Sequence, residues 1–265
     1  MSKLPSVGRA VARGVFARRR GWSPGAPWPT LVAEAPGVSA EPGWLESLRA
    51  TCGGLPPSWP QVFATRWHVV LLVDPSFPLR PAGLVHPRTR FAGAVDPGSP
   101  FDLRVSIEPP TAVENGLEFD LVTAVRQGGV PVWESRAATF SRTAAAPKGA
   151  RGPEEVPVGR SVPVELPVDL GRRYARLSGD WNPVHLHPWL ARLSGYRAPI
   201  AHGQWMVARA LTALGLAPRS AEVRFVRPAF LGSPLRAVTD DRGAFALVGG
   251  DDKPRILGHL GATGV

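Results

Sequence analysis

The chain has 265 residues, 44% of them hydrophobic and 20% charged, which is typical of globular domains and excludes an intrinsically disordered chain. No apolar run approaches the roughly 20 residues that a membrane-spanning helix needs. The single cysteine, Cys52, excludes an intrachain disulfide framework and cysteine-rich metal sites, and it fits a reducing compartment, so we expect a cytoplasmic protein of about two modules.

The chain is strongly basic, with a formal net charge of +10 at pH 7 that comes mainly from arginine. Such a surplus suits nucleic acid, a membrane surface, or acidic ligands such as phosphates and carrier proteins. However, the arginines are scattered singly apart from the run at 18–20, and there is no zinc-finger spacing or aromatic-basic signature of an RNA-binding sheet. We therefore favour a solvated basic surface with some attraction for phosphates, and no nucleic-acid partner.

The N-terminal segment, residues 1–26, contains five arginines and no acid, which predicts a loosely ordered basic arm. An organelle transit peptide has a similar composition and stays an alternative. A secretory signal is not favoured, because it would need an apolar segment of about 7–15 residues.

Residues 27–142 are predicted to form one α+β module. A strand at 28–35 precedes a short helix at 42–51, which ends at Gly53 and Gly54 because glycine readily adopts the left-handed conformation. A helix at 59–73 is apolar on every side and is therefore expected to be buried. Four strands follow, at 83–91, 101–107, 117–126 and 130–140, and a hairpin turn at 127–129 joins the last two.

Residues 143–159 are rich in Ala, Pro and Gly, which predicts an interdomain linker. Residues 160–265 then repeat the order of the first module. Asp169 is expected to cap a helix that runs to 178, and further helices are predicted at 188–193 and 203–214, the last again apolar on most sides. Strands are predicted at 221–227, 235–239, 244–248 and 255–260.

The two modules look like copies of one unit. Gly-Ser-Pro precedes a predicted strand in both, at 98–100 and at 232–234. When the modules are aligned, Gly54 stands where the second module has Asp180, and no Asn-Pro-x-His follows it. The first module is therefore expected to lack the polar cluster of the second, which leaves one site for two modules.

This polar cluster occupies a single predicted turn, in which Asp180, Asn182 and His185 follow one another closely. Proline restricts the residue before it, so the Asn-Pro step favours a turn that aims Asp180 and His185 at a common point. A carboxylate and a neutral imidazole can hold one water between them, and a histidine pKa of about 6.5 suits proton transfer. Asn182 can orient either partner or fix the turn.

A second component lies at Gly203, where an apolar helix is predicted to begin. The first N–H groups of a helix lack internal partners and carry partial positive charge. Glycine allows a ligand to approach the backbone closely, so the N–H of Gly203 can stabilise the developing enolate oxygen of a thioester. Together with water activation, this favours addition of water to an unsaturated thioester or the reverse elimination.

These residues resemble a known family. The pattern Tyr-Ala-x-x-Ser-Gly-Asp-x-Asn-Pro-x-His at 174–185, with Gly-Tyr at 195–196 and Ile-Ala-His-Gly at 200–203, looks like the signature of MaoC-like (R)-specific enoyl-CoA hydratases. The segment at 223–232 is similar to the strand that follows in that family. The match is weaker in the first module, where 77–78, 83–86 and 132–134 resemble the degenerate half of double hot-dog hydratases.

The resemblance implies an α+β double hot-dog fold, with antiparallel sheets wrapped around the helices at 59–73 and 203–214. It implies reversible hydration of trans-2-enoyl thioesters to (R)-3-hydroxyacyl thioesters. Asp180 and His185 would be the catalytic pair, Asn182 the orienting amide and Gly203 the carbonyl-binding N–H. CoA or carrier-protein phosphopantetheine would enter with the substrate, so no cofactor is expected. A chain with both halves can act as a monomer, with a homodimer as the alternative.

The remaining polar residues are interpreted as structural. His187 lies two residues after His185, but no third ligand has suitable spacing, so we predict no metal site. His202 precedes an apolar helix and is predicted to be a buried hydrogen-bonding residue, and His68 and His86 are predicted to be packing residues. The serine at 178 lacks a Gly-x-Ser-x-Gly elbow and is not predicted to be a nucleophile.

Four other functions stay open on sequence alone. The nearest is a 3-hydroxyacyl-carrier-protein dehydratase of fatty-acid elongation, followed by a thioesterase on the same fold. A non-catalytic acyl-thioester binding protein would keep the residues without the activity. A nucleic-acid binder would rely on net charge. Trp181 and His187 are bulkier than the family pattern, which leaves the size of the substrate open.

Overall fold

The computed structural model describes residues 19, 21–142 and 154–261. The predicted basic arm at 1–26 and the predicted linker at 143–159 lie largely outside these residues. The first half contains β1 (Leu31–Val38), α1 (Pro42–Cys52), α2 (Trp59–Val73), β2 (Val85–Gly93), β3 (Phe101–Ile107), β4 (Thr111–Val113), β5 (Gly116–Gln127) and β6 (Val130–Arg142). The second half contains β7 (Arg160–Val164), α3 (Leu170–Ser178), a 3₁₀ turn (Pro183–His185), α4 (Pro188–Leu193), α5 (Gly203–Ala213), β8 (Ser220–Phe225), β9 (Leu235–Thr239), β10 (Ala244–Gly249) and β11 (Pro254–Leu260).

All the strands belong to one antiparallel sheet that runs through both halves. Its order is β1-β3-β5-β6-β2-β8-β11-β10-β9-β7, and β4 pairs with β5 at one side. The halves meet where β2 pairs with β8, with Arg88 opposite Arg224 and Ala92 opposite Ser220. Backbone hydrogen bonds therefore connect the two halves directly.

Each half wraps its part of the sheet around a central helix. The first half packs α2 against β1, β3 and β5, and the second packs α5 against β7, β9 and β10. Both helices are apolar on most sides because sheet and neighbouring helices cover them, as the sequence predicts. This geometry agrees with the predicted α+β double hot-dog arrangement.

The bounds of the elements agree closely with the predicted ones. The helices α2 and α4 and the strands β3 and β9 begin and end where predicted. The first strand is shifted to Leu31–Val38, while β4, β7 and the 3₁₀ turn were not predicted because they are three to five residues long. Among the described residues, the helices are all too short or too polar to span a membrane.

One polar network lies inside the first half. The carboxamide of Gln61 on α2 accepts hydrogen bonds from Thr123 (3.0 Å) and from Ser135, and its nitrogen lies 3.4 Å from Nδ1 of His68. Nε2 of His68 lies 3.1 Å from the Thr123 hydroxyl. Burial lowers the pKa of His68 to about 4, so its ring is neutral at pH 7. His68 is therefore a buried hydrogen-bonding residue with a structural role.

Candidate active site

Helix α3 delivers the chain to the polar turn. Leu170, Tyr174 and Leu177 lie on its buried face at helical spacing. The helix ends at Gly179, whose φ of 78° is in the left-handed region and whose N–H donates to the carbonyl of Ala175. The glycine turns the chain sharply, so Asp180 leaves the helix axis, and its Oδ2 lies 3.9 Å from Nε2 of His202, the residue before α5.

Short hydrogen bonds fix the turn. Ser178 Oγ donates to the carbonyl of Tyr174 (2.9 Å) and accepts from the N–H of Asp180 (3.2 Å). The Asp180 carboxylate accepts from the N–H of Asn182 at 3.1 Å, and the Asn182 side chain accepts from the N–H of Val184 at 3.3 Å. Ser178 is therefore a turn residue, and Asn182 caps the 3₁₀ turn that carries His185. This cap orients His185 indirectly.

His185 is held in one tautomer. Its Nδ1 lies 2.9 Å from the carbonyl of Ile200, so Nδ1 carries the proton and Nε2 is left with a free lone pair. Nε2 lies 3.9 Å from Oδ2 of Asp180, too far for a direct hydrogen bond. The side chain of Asp180 remains 32% exposed, so a small molecule can reach the gap between the two groups.

His202 belongs to the same cluster, which the sequence analysis did not anticipate. Its ring stacks on His185 with centroids 3.7 Å apart, and its Nε2 donates to the backbone carbonyl of Asp180 at 3.1 Å. Burial lowers the pKa of His202 to about 3, so the ring is neutral at pH 7. The sequence predicted a buried hydrogen-bonding residue, and that part is confirmed. Its partner is the catalytic candidate itself.

Asp180 is ionised at neutral pH. Burial raises the pKa of its carboxyl group, but the imidazoles of His202 and His185 and the N–H of Asn182 together outweigh burial and hold the pKa below its ordinary value. The site therefore combines an ionised carboxylate with the neutral imidazole of His202 and the imidazole of His185. Both free groups that face the gap, Asp180 Oδ2 and His185 Nε2, are hydrogen-bond acceptors.

Gly203 begins α5 directly behind this cluster, as predicted. As the first residue of the helix, it has an N–H without an intrahelical partner. A Cβ built on Gly203 would lie 3.0 Å from the Phe225 ring, so glycine keeps β8 and the helix start close together. The predicted residues Asp180, Asn182, His185 and Gly203 are therefore brought to one place.

Two other predicted roles have different outcomes. His187 caps α4, since its Nδ1 accepts from the N–H of Trp189 at 3.2 Å, and it has the scaffold role that the sequence predicts. His86 was predicted to be a packing residue, and this is wrong because its side chain is solvent-exposed. His86 lies at a break in the pairing of β2 with β6, between Val85 and Arg88, and the sequence carries no signal for that break.

The ligand atoms of Asp180, His185 and His202 lie within 4.8 Å of one another, a spacing that could suit a metal ion. However, His202 Nε2 already donates its proton to the carbonyl of Asp180. With Nε2 of His202 engaged, Oδ2 of Asp180 and Nε2 of His185 are left to bind a metal ion, fewer than the three protein ligands usual for catalytic zinc, while Nδ1 of His202 is buried without a hydrogen-bond partner. The arrangement is better suited to holding a water.

The first half caps the helix that precedes Asp180. Arg66 on α2 donates to the carbonyls of Arg176 (2.7 Å) and Leu177 (3.5 Å), and the indole N–H of Trp44 on α1 donates to Leu177 at 3.1 Å. Trp44 is itself held by edge contacts with Trp59 and Phe63. The last carbonyls of α3 would otherwise lack partners, so the first half stabilises the turn of the second.

We therefore expect Trp44→Phe to lower both stability and turnover. The change keeps an aromatic ring but removes one hydrogen bond to a partly buried carbonyl, which costs about 1 kcal/mol. Loosening the end of α3 should also reduce kcat about 3- to 10-fold, because displacement of catalytic groups is costly. Urea unfolding and steady-state kinetics measure the two effects.

Trp28→Phe is the matched control for this change. The indole N–H of Trp28 donates to the carbonyl of Ile107 at 3.2 Å, far along the chain from the site. The free energy of unfolding of this control should decrease by a similar amount, about 1 kcal/mol. Its kcat should equal that of the unaltered protein. Equal kcat values for both variants would contradict the coupling between Trp44 and the turn.

Stability is expected to fall between pH 7 and pH 5 because of the buried histidines. The pKa of His202 is lowered from 6.5 to about 3 in the folded protein, so below pH 6.5 the unfolded chain binds the proton more readily. The free energy of unfolding therefore decreases as the pH falls. His202 alone should account for roughly 2 kcal/mol of this decrease between pH 7 and pH 5. Urea unfolding at both pH values gives the difference.

Between these two pH values, the free energy of unfolding of His202→Gln should decrease by roughly 2 kcal/mol less than that of the unaltered protein. His259→Gln, at an exposed position on β11, should keep the full loss. Because each variant is compared with itself at two pH values, any general destabilisation by the substitution cancels. An unchanged loss in His202→Gln would show that this ring is not held neutral.

Comparisons with known proteins agree with this geometry. Residues 150–244 match the family model described as the MaoC like domain. The 3-hydroxyacyl-thioester dehydratase X of Mycobacterium tuberculosis is 32% identical over 142 residues, which are 49% of this chain and 49% of that protein. The chain thus spans about half the length of the curated relatives it matches.

Solved structures extend the likeness to both halves. The crystal structure of HtdX of M. tuberculosis has a TM-score of 0.71 at 22% identity, covering 86% of this chain and 98% of that chain. Another M. tuberculosis protein, described as having a double hotdog fold, has a TM-score of 0.57 at 10% identity, covering 87% of this chain and 94% of that chain. The chain therefore has a double hot-dog fold, and its residues 150–244 are similar to the MaoC like domain.

Proposed function

We propose that the protein catalyses the reversible addition of water to trans-2-enoyl thioesters, giving (R)-3-hydroxyacyl thioesters. One observation carries the proposal: Oδ2 of Asp180 and Nε2 of His185 are both acceptors and lie 3.9 Å apart. A water at about 2.8 Å from each could donate one hydrogen bond to Asp180 and the other to His185, with its oxygen lone pairs directed to the substrate.

In the proposed reaction, the water oxygen bonds to C3 of the enoyl group while one acceptor, Asp180 or His185, takes its proton. The C2–C3 double bond opens toward the thioester carbonyl, and the proton taken from the water is passed to C2, so that both catalytic groups return to their starting state. The N–H of Gly203 stabilises the enolate oxygen that develops in between. Acid–base catalysis of this kind contributes typically about 10²–10⁴-fold, and an oxyanion donor about 10²–10³-fold.

The reaction uses only the groups of this chain and the thioester itself, so the proposal includes no cofactor. The dehydratase named among the relatives supports it, because hydration and dehydration pass through the same transition state and need the same groups. Since that relative is matched over half its length, the activity is carried over as a proposal.

The direct test is hydration of trans-2-enoyl-CoA by the purified protein. We expect loss of the enoyl absorbance with crotonyl-CoA and with longer chains, and a product oxidised by an (R)-specific but not by an (S)-specific 3-hydroxyacyl dehydrogenase. Folded protein that hydrates no enoyl thioester of any chain length would overturn the proposal. Release of free thiol from acyl-CoA would instead identify a thioesterase.

A carrier-protein dehydratase is the second candidate, and one surface feature favours it. Trp181, Trp189 and Leu193 next to the polar turn are 47%, 61% and 67% exposed, which is unusual for large apolar side chains. Exposed arginines at 172, 176, 192 and 197 occur in the same segment. Such a surface suits an acidic protein partner. Comparing kcat/KM for enoyl-CoA and for the same acyl group on a carrier protein separates the two candidates.

A further inference from the structure

His86 at the start of β2 is turned toward the interior of the sheet. Its Nδ1 lies 3.1 Å from Thr139 Oγ1 and 3.3 Å from the carbonyl of Ala138 on β6. Thr139 lies on the same face of β6 as Ser135, because residues four apart in a strand point the same way. The Ser135 hydroxyl bonds to Gln61 on the central helix α2, so this face is the inner one.

An inward-facing ring would normally be buried, but His86 is solvent-exposed. Thr139, to which it is bonded, has no exposed surface. The ring of His86 therefore lies at an opening where solvent reaches the inner side of the sheet. Such an opening between two halves is the usual place for a ligand to enter.

This opening borders the candidate active site. Thr89, three residues after His86, accepts a hydrogen bond from Gln204 at 3.3 Å, and Gln204 directly follows Gly203. The pairing of Arg88 with Arg224, continued by one residue, brings Pro87 opposite Phe225, whose ring lies against Gly203.

His86 interacts electrostatically with charged groups of the candidate active site. Partial desolvation of the ring lowers its pKa and the hydrogen bond to the carbonyl of Ala138 raises it; the Asp180 carboxylate also raises it, and the His185 imidazole lowers it. In return, His86 is among the groups that lower the pKa of Asp180. Charges affect one another in this way when they lie within roughly 10 Å. The ring is thus within electrostatic reach of the catalytic pair.

The hydrogen bonds also set the tautomer of His86. Thr139 Oγ1 donates its own proton to the carbonyl of Ala137 at 3.2 Å, so it accepts the proton of His86 Nδ1. Nε2 then carries a free lone pair, and the lowered pKa keeps the ring neutral at pH 7. A fixed acceptor with an exposed lone pair is suited to binding an N–H or O–H group of a ligand.

We propose that His86 is a substrate-binding residue that the first half supplies to the site of the second half, with Nε2 accepting a hydrogen bond from the thioester substrate. The identity of the substrate rests on the proposed function. Two kinds of donor on a 3-hydroxyacyl thioester can make this bond, namely the 3-hydroxyl group and the N–H and O–H groups of the pantetheine arm. The first half, which lacks its own catalytic pair, thereby takes part in recognition of the substrate.

The test compares three variants of His86. His86→Phe keeps the ring size and loses both nitrogens, His86→Asn reproduces only the Nδ1 position, and His86→Gln places an amide near the Nε2 position. We expect KM for 3-hydroxybutyryl-CoA, measured in the dehydration direction, to rise about 10-fold in the Phe and Asn variants, the effect of one lost hydrogen bond of about 1.4 kcal/mol. Gln should restore KM to within about three-fold of the unaltered protein, and kcat should change little in any variant. An unchanged KM in the folded Phe and Asn variants overturns the proposal.

Calorimetry of acyl-CoA binding tests this proposal separately from the proposed function. It also identifies which substrate group donates the hydrogen bond to His86. In an Asp180→Asn background, which slows turnover, butyryl-CoA offers the N–H and O–H donors of CoA and 3-hydroxybutyryl-CoA adds the 3-hydroxyl. Weaker binding of both by His86→Phe identifies a donor of the CoA part, weaker binding of 3-hydroxybutyryl-CoA alone identifies the 3-hydroxyl, and unchanged binding of both refutes the contact. These outcomes hold even if no hydration is observed. His259→Phe, the same change at an exposed position on β11, should leave binding unaltered.

Discussion

Replacing Asp180 by Asn is expected to lower kcat for enoyl-thioester hydration about 10²- to 10⁴-fold, the usual contribution of general acid–base catalysis. Asn keeps the size of the side chain and can still accept from the N–H of Asn182, but it cannot take a proton from water. His185→Ala removes the other acceptor and should cause a loss of the same order. The double variant should be little worse than either one, because the two groups act on one water.

The measurement is the initial rate of hydration of crotonyl-CoA and a longer enoyl-CoA, with circular dichroism to confirm the fold. Asp169→Asn is the matched control, since this carboxylate at the start of α3 is 63% exposed and forms a 3.8 Å ion pair with Arg173. The control should keep the rate of the unaltered protein. Rates near that value in folded Asp180→Asn or His185→Ala would remove these residues from the catalytic step.

Gly171→Ala is expected to disrupt the site without touching any catalytic side chain. A Cβ on Gly171 would lie 1.9 Å from the carbonyl oxygen of His185, closer than any real contact. The 3₁₀ turn must then move by about 1 Å, and a shift of that size in a catalytic group can cost roughly 10²-fold in rate. Forcing a methyl group into this contact should also lower the free energy of unfolding by about 1–3 kcal/mol.

Gly43→Ala controls for the general effect of placing alanine in a helix. Gly43 is the second residue of α1 and Gly171 the second residue of α3, but a Cβ on Gly43 meets nothing within 4 Å. The Gly43 variant should keep full activity and gain up to about 1 kcal/mol, because alanine favours helix more than glycine does. Urea unfolding and crotonyl-CoA kinetics on both variants measure the contrast. Full activity in Gly171→Ala would mean that the turn tolerates the displacement.

The fold was largely predictable because its elements have strong local signals. The central helices are long and apolar on most sides, and glycines mark where helices end. The short edge strand β7 was missed, as was the pairing of β2 with β8 that joins the two halves. Pairing between distant strands is a long-range property, and the alternation of apolar residues within each strand does not identify its partner.

The candidate site was predictable where its residues are close in sequence. Asp180, Asn182 and His185 share one turn, and Gly203 begins a recognisable helix. His202 was interpreted as scaffold because sequence spacing does not show that its ring stacks on His185. The sequence does not reveal the roles of Trp44 and Arg66 or the contact of Gly171 with His185, because they arise when the two halves and the turn pack together. Contacts of this kind depend on tertiary structure.

The sheet that both halves share constrains which substitutions each half can accumulate during evolution. After a duplication, the first half could lose its catalytic pair, since one site suffices. It could not lose β2, because β8 would then become an open edge ready to pair with other chains. It must likewise retain the residues that cap α3. The inactive copy is therefore constrained at its border with the active one, and substitutions there should be tolerated less than substitutions on its far side, at β1 and β3.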